Sequence, residues 1–370
     1  MRIALIGNHP EGVALAAALR SEAGGVVAAV VDGEIGGVFP GAEILTDIDE
    51  LCARTDLDLV IVAGPLQRRG LQLRRVLQSR FHALCVTTAA DTPDLAYEAS
   101  LILHETGKMA LPIVPSLVHP AVHEMQDWLQ KLRTQDNSGR ITTRILTWHQ
   151  AGVEQGGERP EPDWHLIRTL GGDLIELVGF APHDGAEPME PVVFSGRFQD
   201  GSLLHGLINP TGHSQRWSLS ISESGQTARL RGASKTDMQF EWEEGPTDSR
   251  NANKMDPEVL WHRYALEISE ALRTAKRWRI TWQDEIRVCE WADALRRSVA
   301  KQKISTLDYQ DTSEEVGAKG TLTLIGCGMV WIILLLALIA IWQPLVLWGV
   351  VPLLVLFLAL AVVNWLAQKR

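Results

Sequence analysis

The sequence has fewer basic than acidic residues and only four cysteines. Each of these two features excludes a class of protein. Its 370 residues include 35 Lys and Arg against 45 Asp and Glu, which leaves a net charge of −10. Nucleic-acid binding needs a basic surface that meets phosphates, so nucleic acid is not expected as a partner. The cysteines Cys52, Cys85, Cys289 and Cys327 have neither metal-ligand nor disulfide-framework spacing. This pattern favours a reducing compartment and predicts no metal site.

Charged residues are also almost absent from the last 50 residues, although mean hydropathy over the whole chain is near zero. In this segment only Lys369 and Arg370 are charged. Residues 322–342 and 345–366 are each long enough for a helix that crosses a hydrocarbon core of about 30 Å. Pro344 lies between them, where a helix must end. The sequence therefore predicts two transmembrane helices within 321–366, a linker at 307–320, and membrane lipid as a partner.

Basic residues beside this segment indicate its orientation. Lys319 precedes the first apolar stretch, Lys369 and Arg370 follow the second, and the turn between them has no charge. The positive-inside rule then places both flanks in the cytoplasm. The apolar run at residues 2–6 is too short for a signal peptide. We therefore expect the soluble domains and both termini to be cytoplasmic.

The first third of the chain alternates short apolar runs with amphipathic stretches. Strands are predicted at 2–6, 26–31, 57–63 and 83–86, and helices at 13–20, 47–54, 71–80 and 92–106. Apolar strands that alternate with helices are typical of a parallel, doubly wound sheet. Residues 1–115 are therefore predicted to form an α/β Rossmann-like dinucleotide-binding domain.

The pattern changes near residue 141, where apolar and polar residues begin to alternate. Strands are predicted at 141–148, 192–198, 203–208, 217–222 and 227–231, followed by helices at 258–274 and 284–301. A period of two indicates strands with one buried and one solvated face. Residues 116–306 are therefore predicted to form an α+β domain with an open, mainly antiparallel sheet.

A glycine-rich turn joins the first strand to the first helix. Gly7 and Gly12 occupy the first and third glycine positions of the dinucleotide fingerprint G-x-G-x-x-G. His9 occupies the second position, where the backbone must approach the pyrophosphate closely, and Pro10 removes an N–H donor nearby. Both residues are expected to weaken a dinucleotide site.

Asp32 follows the second strand, 20 residues after Gly12. A carboxylate in this place accepts hydrogen bonds from the adenosine ribose and repels a 2′-phosphate, which favours NAD over NADP. The turn and this acid are equally consistent with a Rossmann-shaped domain that binds no dinucleotide.

Several segments in order resemble the glucose–fructose oxidoreductase/inositol dehydrogenase (Gfo/Idh/MocA) family over about residues 1–306. These are ALIGNHPEG, DLDLVIVAGP, HALCVTTAAD, VPSLVHP, LGGDLIELVGF, FQDGSLLHGLI and SESGQTARLRG. The resemblance implies NAD or NADP as cofactor, a sugar or cyclitol as substrate, and subunit contacts through the open sheet. The cofactor-binding positions are then Gly7, Asn8, His9, Gly12, Asp32, Ala63, Gly64 and Pro65.

The family's catalytic residues do not carry over to this sequence. Its lysine falls on Thr87, the Asp and His of its glycine helix fall on Glu176 and Phe180, and its Asn-Arg-Arg stretch falls on Pro115, Ser116 and Leu117. Thr and Phe cannot accept a proton from an alcohol at neutral pH. No catalytic residue is therefore assigned, and the resemblance implies a degenerate active site.

Neighbouring residues offer alternatives of less weight. His183 and Asp184, or Trp164 and His165, could supply a base, although solvated loop residues explain the first pair more simply. His119 and His123 have the spacing of metal ligands, but capping or packing explains them better. The tryptophans Trp128, Trp148, Trp164, Trp217 and Trp242 could form a sugar platform, but core packing is the simpler explanation.

Three functions remain open from the sequence. The chain could be an active membrane-anchored NAD(P)-dependent oxidoreductase. It could be a non-catalytic binding, sensing or scaffold module that recruits a partner to the membrane. It could also be a recruitment subunit that pairs through its open sheet with a copy of itself or with a related oxidoreductase.

Overall fold

The computed structural model describes residues 1–22, 24–31, 38–86, 93–135, 144–152, 161–182, 190–211, 216–233, 236–242, 255–274, 278–301 and 303–307. Residues 1–308 form one compact unit. A second unit, 309–370, lies outside the described residues, as do the predicted transmembrane helices and the linker beyond Leu307. In the described part of the chain, no helix is long and apolar enough to cross a membrane.

Six described strands form a parallel sheet, sheet A, in the order β3-β2-β1-β4-β5-β6. They are β1 (Arg2–Ile6), β2 (Val26–Val31), β3 (Glu43–Leu45), β4 (Leu59–Val62), β5 (His82–Val86) and β6 (Ala110–Ile113). Ile3 to Ile6 of β1 and all of β4 are buried, because helices cover both faces of the sheet. The predicted doubly wound parallel sheet is confirmed, and β3 and β6 are strands that the sequence patterns missed.

The eight described helices pack on sheet A, on sheet B or on one another. They are α1 (Pro10–Glu22), α2 (Ile48–Cys52), α3 (Leu66–Gln78), α4 (Pro93–Thr106), α5 (Pro120–Gln135), α6 (Trp164–Gly171), α7 (Pro257–Thr274) and α8 (Trp282–Lys301). The last two return to sheet A. Trp261 and Tyr264 of α7 pack in the core under α1, and Trp282 and Ile286 of α8 pack in the core on the other face.

Eight described strands form the second sheet, sheet B, in the order β13-β12-β11-β7-β10-β9-β8-β14. They are β7 (Ile145–Ala151), β8 (Leu174–Phe180), β9 (Val192–Phe198), β10 (Leu203–Asn209), β11 (Arg216–Glu223), β12 (Gln226–Gly232), β13 (Met238–Trp242) and β14 (Ser305–Thr306). Every neighbouring pair is antiparallel except β7 and β10, which are parallel. The predicted mainly antiparallel sheet is confirmed.

One prediction about secondary structure is wrong. The resemblance implies a helix at LGGDLIELVGF, whereas α6 ends at Gly171, the second residue of this segment, and Leu174–Phe180 forms strand β8. Gly172, at φ 92°, ends α6 in a conformation that glycine adopts without strain. The following residues alternate between faces: Leu177 and Gly179 are buried, and Phe180 is exposed on the opposite face. This period of two favours a strand over a helix.

Candidate functional site

The predicted glycine turn lies at the carboxyl end of β1, in the middle of sheet A. Gly7 has φ 84°, and its N–H donates to the carbonyl of Val31 at 2.8 Å. A Cβ on Gly7 would lie 2.4 Å from the carbonyl oxygen of Ala63. Only glycine therefore fits at this position, both for its left-handed conformation and for its contact with the end of β4.

The second glycine of the turn sets the distance between helix α1 and the sheet. Gly12 is buried in the first turn of α1, and a Cβ there would lie 2.2 Å from the Cβ of Ala63. The structure thus brings Gly7, Gly12, Ala63 and Gly64 together where β1 and β4 end. In this strand order β2 and β3 extend the sheet on one side of β1, and β4 to β6 extend it on the other, so the direction of strand addition reverses between β1 and β4. Ligands of doubly wound folds bind at this reversal point.

His9 is the N-cap residue of α1. Its carbonyl accepts the N–H of Val13 at 3.1 Å, and its own N–H donates to Ala63 at 3.0 Å. Its ring Nδ1 accepts the N–H of Glu11 at 3.4 Å, which is long for a hydrogen bond. Because Pro10 has no N–H, this side chain engages the first amide that the helix presents. Asn8, beside it, is exposed.

Helix α3 packs against the end of β4. A Cβ on Gly64 would lie 2.0 Å from the side-chain oxygen of Gln72, and Nε of Arg69 donates to the Gly64 carbonyl at 3.1 Å. Arg69 is only 5% exposed, so a guanidinium lies under the turn. Pro65 is exposed at the start of α3. The predicted helix at 71–80 began after Arg69, so the sequence patterns missed this residue.

Several predicted site residues lie outside the described part of the chain. Asp32 follows β2 within 32–37, and Thr87 follows β5 within 87–92. His183 and Asp184 lie within 183–189. Their roles stay predictions.

Pro115, Ser116 and Leu117 form a one-turn 3-10 helix directly after β6, and all three are buried. Tyr264 of α7 holds the strand end, because its hydroxyl accepts the N–H of Val114 at 2.9 Å and donates to the Pro112 carbonyl at 3.1 Å. Burial raises the pKa of this phenol above its ordinary value. The segment is therefore fixed at the carboxyl edge of sheet A, although it lacks the polar residues that the resemblance implies.

Glu176 and Phe180 lie in strand β8 of sheet B. Glu176 binds Arg197 of β9, with Nη2 and Oε1 at 2.6 Å, and this ion pair holds the pKa of the carboxyl below its ordinary value. Phe180 is 53% exposed. These positions were assigned on the assumption of a helix, so the assignment of the family's Asp and His to them is wrong.

Helix α6 carries a buried polar cluster next to the same edge. Asp163 caps α6 by accepting the N–H of Leu166 at 3.0 Å, and its second oxygen accepts the hydroxyl of Ser116 at 3.0 Å. Nε2 of His165 lies 2.6 Å from Oε2 of Glu285 on α8. Their side chains are 4% and 1% exposed. The sequence patterns noted His165 but not Glu285, which is 120 residues away and carries no local signal.

His119 and His123 have separate partners. His119 caps α5, since its Nδ1 accepts the N–H of Ala121 at 3.1 Å, and burial lowers its pKa to about 4. His123 lies 2.6 Å from Nη1 of Arg279. The capping interpretation of His119 is confirmed. No group of three or more metal-ligating side chains occurs in the part of the chain that the structure describes.

The tryptophans proposed for a sugar platform lie mainly in the core. Trp128, Trp148, Trp164 and Trp217 are all buried, and Trp148 stacks on Trp217 with ring centroids 5.2 Å apart. The core-packing interpretation is confirmed for these four.

Sheet A, with a glycine turn at its reversal point and an open sheet B beside it, defines a Rossmann-type α/β domain joined to an α+β domain. No protein-family model and no curated protein sequence matches this chain. Solved structures do match its fold. Levoglucosan dehydrogenase, in complex with NADH and L-sorbose, is 12% identical at a TM-score of 0.69, over 84% of this chain and 99% of that one.

Two further structures have the same architecture. The WlbA dehydrogenase from Bordetella pertussis, in complex with NADH and UDP-GlcNAcA, is 14% identical at a TM-score of 0.67, over 84% of this chain and 98% of its own. A myo-inositol dehydrogenase from Corynebacterium glutamicum is 14% identical at a TM-score of 0.64, over 84% and 99%. The fold is thus the one found in dehydrogenases of the Gfo/Idh/MocA type, as the resemblance implied.

Proposed function

We propose that this chain is an oxidoreductase homologue that binds NAD at the carboxyl edge of sheet A. The observation that carries the proposal is the position of Gly7 and Gly12, which bring β1, α1 and β4 into contact at the reversal point of a Rossmann sheet. The NADH complexes of levoglucosan dehydrogenase and the WlbA dehydrogenase, which share the fold, support it.

The described residues fit a dinucleotide after one side chain moves. Gly7 and Gly12 let the turn and α1 pack against the end of β4, and the positive end of α1 is directed toward the strand ends. The ring of His9 engages the Glu11 amide through a bond of 3.4 Å. Rotation of this ring costs little and releases the amide for a phosphate oxygen.

Each cofactor-binding residue then has a role. Gly7, Asn8, His9 and Gly12 hold the pyrophosphate, and Asp32 binds the ribose and selects NAD over NADP. Ala63, Gly64 and Pro65 line the site at the end of β4. Bound NAD would accept a hydride from an alcohol carbon of a sugar-like or cyclitol-like ligand.

Efficient catalysis is not expected of this chain. Thr87, in place of the family's lysine, has no basic group, and the 3-10 helix after β6 is buried and largely apolar. We therefore place the chain closer to a binding homologue with a replaced catalytic lysine than to an efficient dehydrogenase. Within the proposal, residues 321–366 anchor it in a membrane and both termini are cytoplasmic.

A second candidate function is a non-catalytic module that recruits a partner to the membrane. Phe180 and Val193 are paired across β8 and β9 on the open face of sheet B, and are 53% and 50% exposed. Exposed apolar side chains in contact with each other are typical of binding surfaces. A second copy of this chain or a related oxidoreductase subunit is the proposed partner.

NADH titration of the purified full-length chain tests the main proposal, with fluorescence transfer from tryptophan to the nicotinamide as the signal. We expect saturable binding that NAD displaces. The variant Asn8→Glu adds a negative charge at an exposed helix N-terminus, which stabilises the helix but repels a pyrophosphate. NADH affinity should fall about tenfold or more while the Tm stays constant or rises.

Asn8→Gln, which changes the side chain without adding charge, is the matched control and should bind NADH more tightly than Asn8→Glu does. Absence of binding at millimolar NADH, or equal affinity in both variants, contradicts the proposal. Turnover is then assayed with a panel of polyols and sugars. Binding without turnover supports the replaced-lysine part of the proposal, and rapid turnover contradicts it.

A further inference from the structure

The open face of sheet B contains a cationic depression that is separate from the dinucleotide site. Its volume is about 680 Å³, and it lies where β7 and β12 end and β11 begins. Three arginines line it: Arg216 on β11, and Arg229 and Arg231 on β12. We propose that this depression binds the phosphate group of a phosphorylated organic molecule.

Strand geometry places the three arginines on one face. Arg229 and Arg231 are two residues apart, so their side chains leave β12 on the same side. Ser218 is paired with Arg231 across the two strands, and Arg216 is two residues from Ser218. Diagonal neighbours in such a pair are about 7–8 Å apart, which lets long side chains converge on one ligand.

Small residues between the arginines leave room for that ligand. Ser218, Ala151 and Gly232 all line the depression, and none of them has a long side chain. Trp217 also lines the depression, although its side chain is 7% exposed, and Leu219 is fully buried. The arginines therefore surround a depression with short side chains at these three positions, and His149, Asn209 and Gln239 complete its lining.

The charges at the site favour an anion. Among the described residues, no ion pair to Arg216 is found, and its side chain is exposed. Arg231 pairs with Glu241, an exposed bridge of the kind that contributes little free energy and can be exchanged for a ligand. Asp237 is the carboxylate in the lining. A cluster of arginines is unusual on a chain whose net charge is −10.

Hydrogen bonding favours phosphate over a single carboxylate. Nε of Arg229 donates to Oγ of Ser220 at 2.9 Å, which fixes the direction of this guanidinium. Several guanidinium forks and the Ser218 hydroxyl can donate to the three oxygens of a phosphate monoester at once. Leu207 and Ala151 line the same depression and suit an organic part. The monoester can be a soluble metabolite or a lipid headgroup.

Calorimetric titration of the full-length chain in neutral detergent micelles tests the proposal. The probes are inorganic phosphate, glycerol 3-phosphate, and mixed micelles that contain phosphatidic acid or, as the control, phosphatidylcholine. We expect one site per chain for the phosphate monoesters. Arg216→Gln and Arg231→Gln should each weaken binding about tenfold or more, since each removes charged hydrogen bonds.

Arg197→Gln is the matched control, because Arg197 lies on the same open face, pairs with Glu176 and does not line the depression. It should bind as the unmodified chain does, and thermal unfolding should be similar in all three variants. Tighter binding of phosphatidic acid than of glycerol 3-phosphate, with the same sensitivity to Arg216→Gln, identifies a lipid ligand. Equal affinity identifies a soluble one.

Three results would overturn the proposal. The first is no binding of any monoester, and the second is binding that Arg216→Gln leaves unchanged. The third is binding that Asn8→Glu weakens in place of Arg216→Gln, because that anion would occupy the N-terminus of α1. If no anion binds and Arg216→Gln changes only the oligomeric mass by light scattering, the face is an interface between copies and the proposal fails.

Discussion

His9 caps the N-terminus of α1, and its replacement by glycine tests the proposed NAD site. His9→Gly removes the ring that accepts the Glu11 amide at 3.4 Å. It also restores the residue type that a dinucleotide turn carries at this position. We expect NADH to bind more tightly to this variant than to the unmodified chain.

The size of the gain follows from the bonds exchanged. The unmodified chain must break the His9–Glu11 bond before the amide can meet a phosphate, whereas the variant has no such bond to break. Because a bond of 3.4 Å is weak and contributes about 0.5–1 kcal/mol, affinity should rise by about two- to fivefold. The added glycine raises the entropy of the unfolded chain, so stability should fall by about 0.5–1 kcal/mol.

The assay is the same NADH fluorescence titration, with chemical denaturation to follow the free energy of unfolding. His9→Asn is the matched control, because an asparagine side chain can also cap the helix and keep the amide engaged. An equal gain in both variants, or no gain in His9→Gly, would refute the assignment of His9 as the obstacle.

Two further predictions follow from the described contacts. Gly12→Ala places a Cβ 2.2 Å from that of Ala63, so we expect the free energy of unfolding, measured by denaturation, to fall by about 1–3 kcal/mol. The same substitution in an exposed helix would raise this free energy. Unchanged stability would contradict the close packing of α1. His119 has a pKa of about 4 in the folded chain, against about 6.5 when unfolded, so the unfolded state binds the proton first. Its stabilising contribution, up to about 3 kcal/mol, is complete above pH 6.5 and is lost as the pH falls toward 4. His119→Asn keeps a capping acceptor and should flatten this part of the stability–pH curve; parallel curves contradict it.

Much of sheet A could be predicted because its strands are buried on both faces. Val26–Val31 and Leu59–Val62 are continuous apolar runs, which few other environments in a soluble domain produce. By contrast, β3 has three residues and β6 contains a proline. Such short elements carry too little periodicity to be recognised, and only their partners in the sheet define them.

The turn at Gly7 could also be predicted, because its backbone conformation and close packing permit only glycine. A left-handed φ and a 2.4 Å approach to β4 both demand glycine, so the requirement is visible in the sequence. Arg69 left no such signal. Its burial depends on the Gly64 carbonyl, which a helix pattern taken alone cannot locate.

Strand β8 also bears on catalysis, because the family's Asp and His were assigned to positions within it. The order of segments along the chain was sufficient to identify the fold, because order determines topology. It was insufficient for residue-by-residue assignment, because most of α6 precedes the segment that was taken for the helix, and most of that segment is strand β8. Glu176 and Phe180 therefore say nothing about whether a proton acceptor is present at the edge of sheet A.

The residues that do bear on that question lie on α6 and α8. His165 and Glu285 are buried together near Ser116, whose hydroxyl binds Asp163 at the start of the same helix. A buried pair of this kind is weak evidence for stability, because desolvation offsets much of its attraction. Thr87 and the apolar 3-10 helix after β6 are therefore the features that argue against efficient catalysis. A missing histidine is not among them, because His165 lies on the helix at this edge.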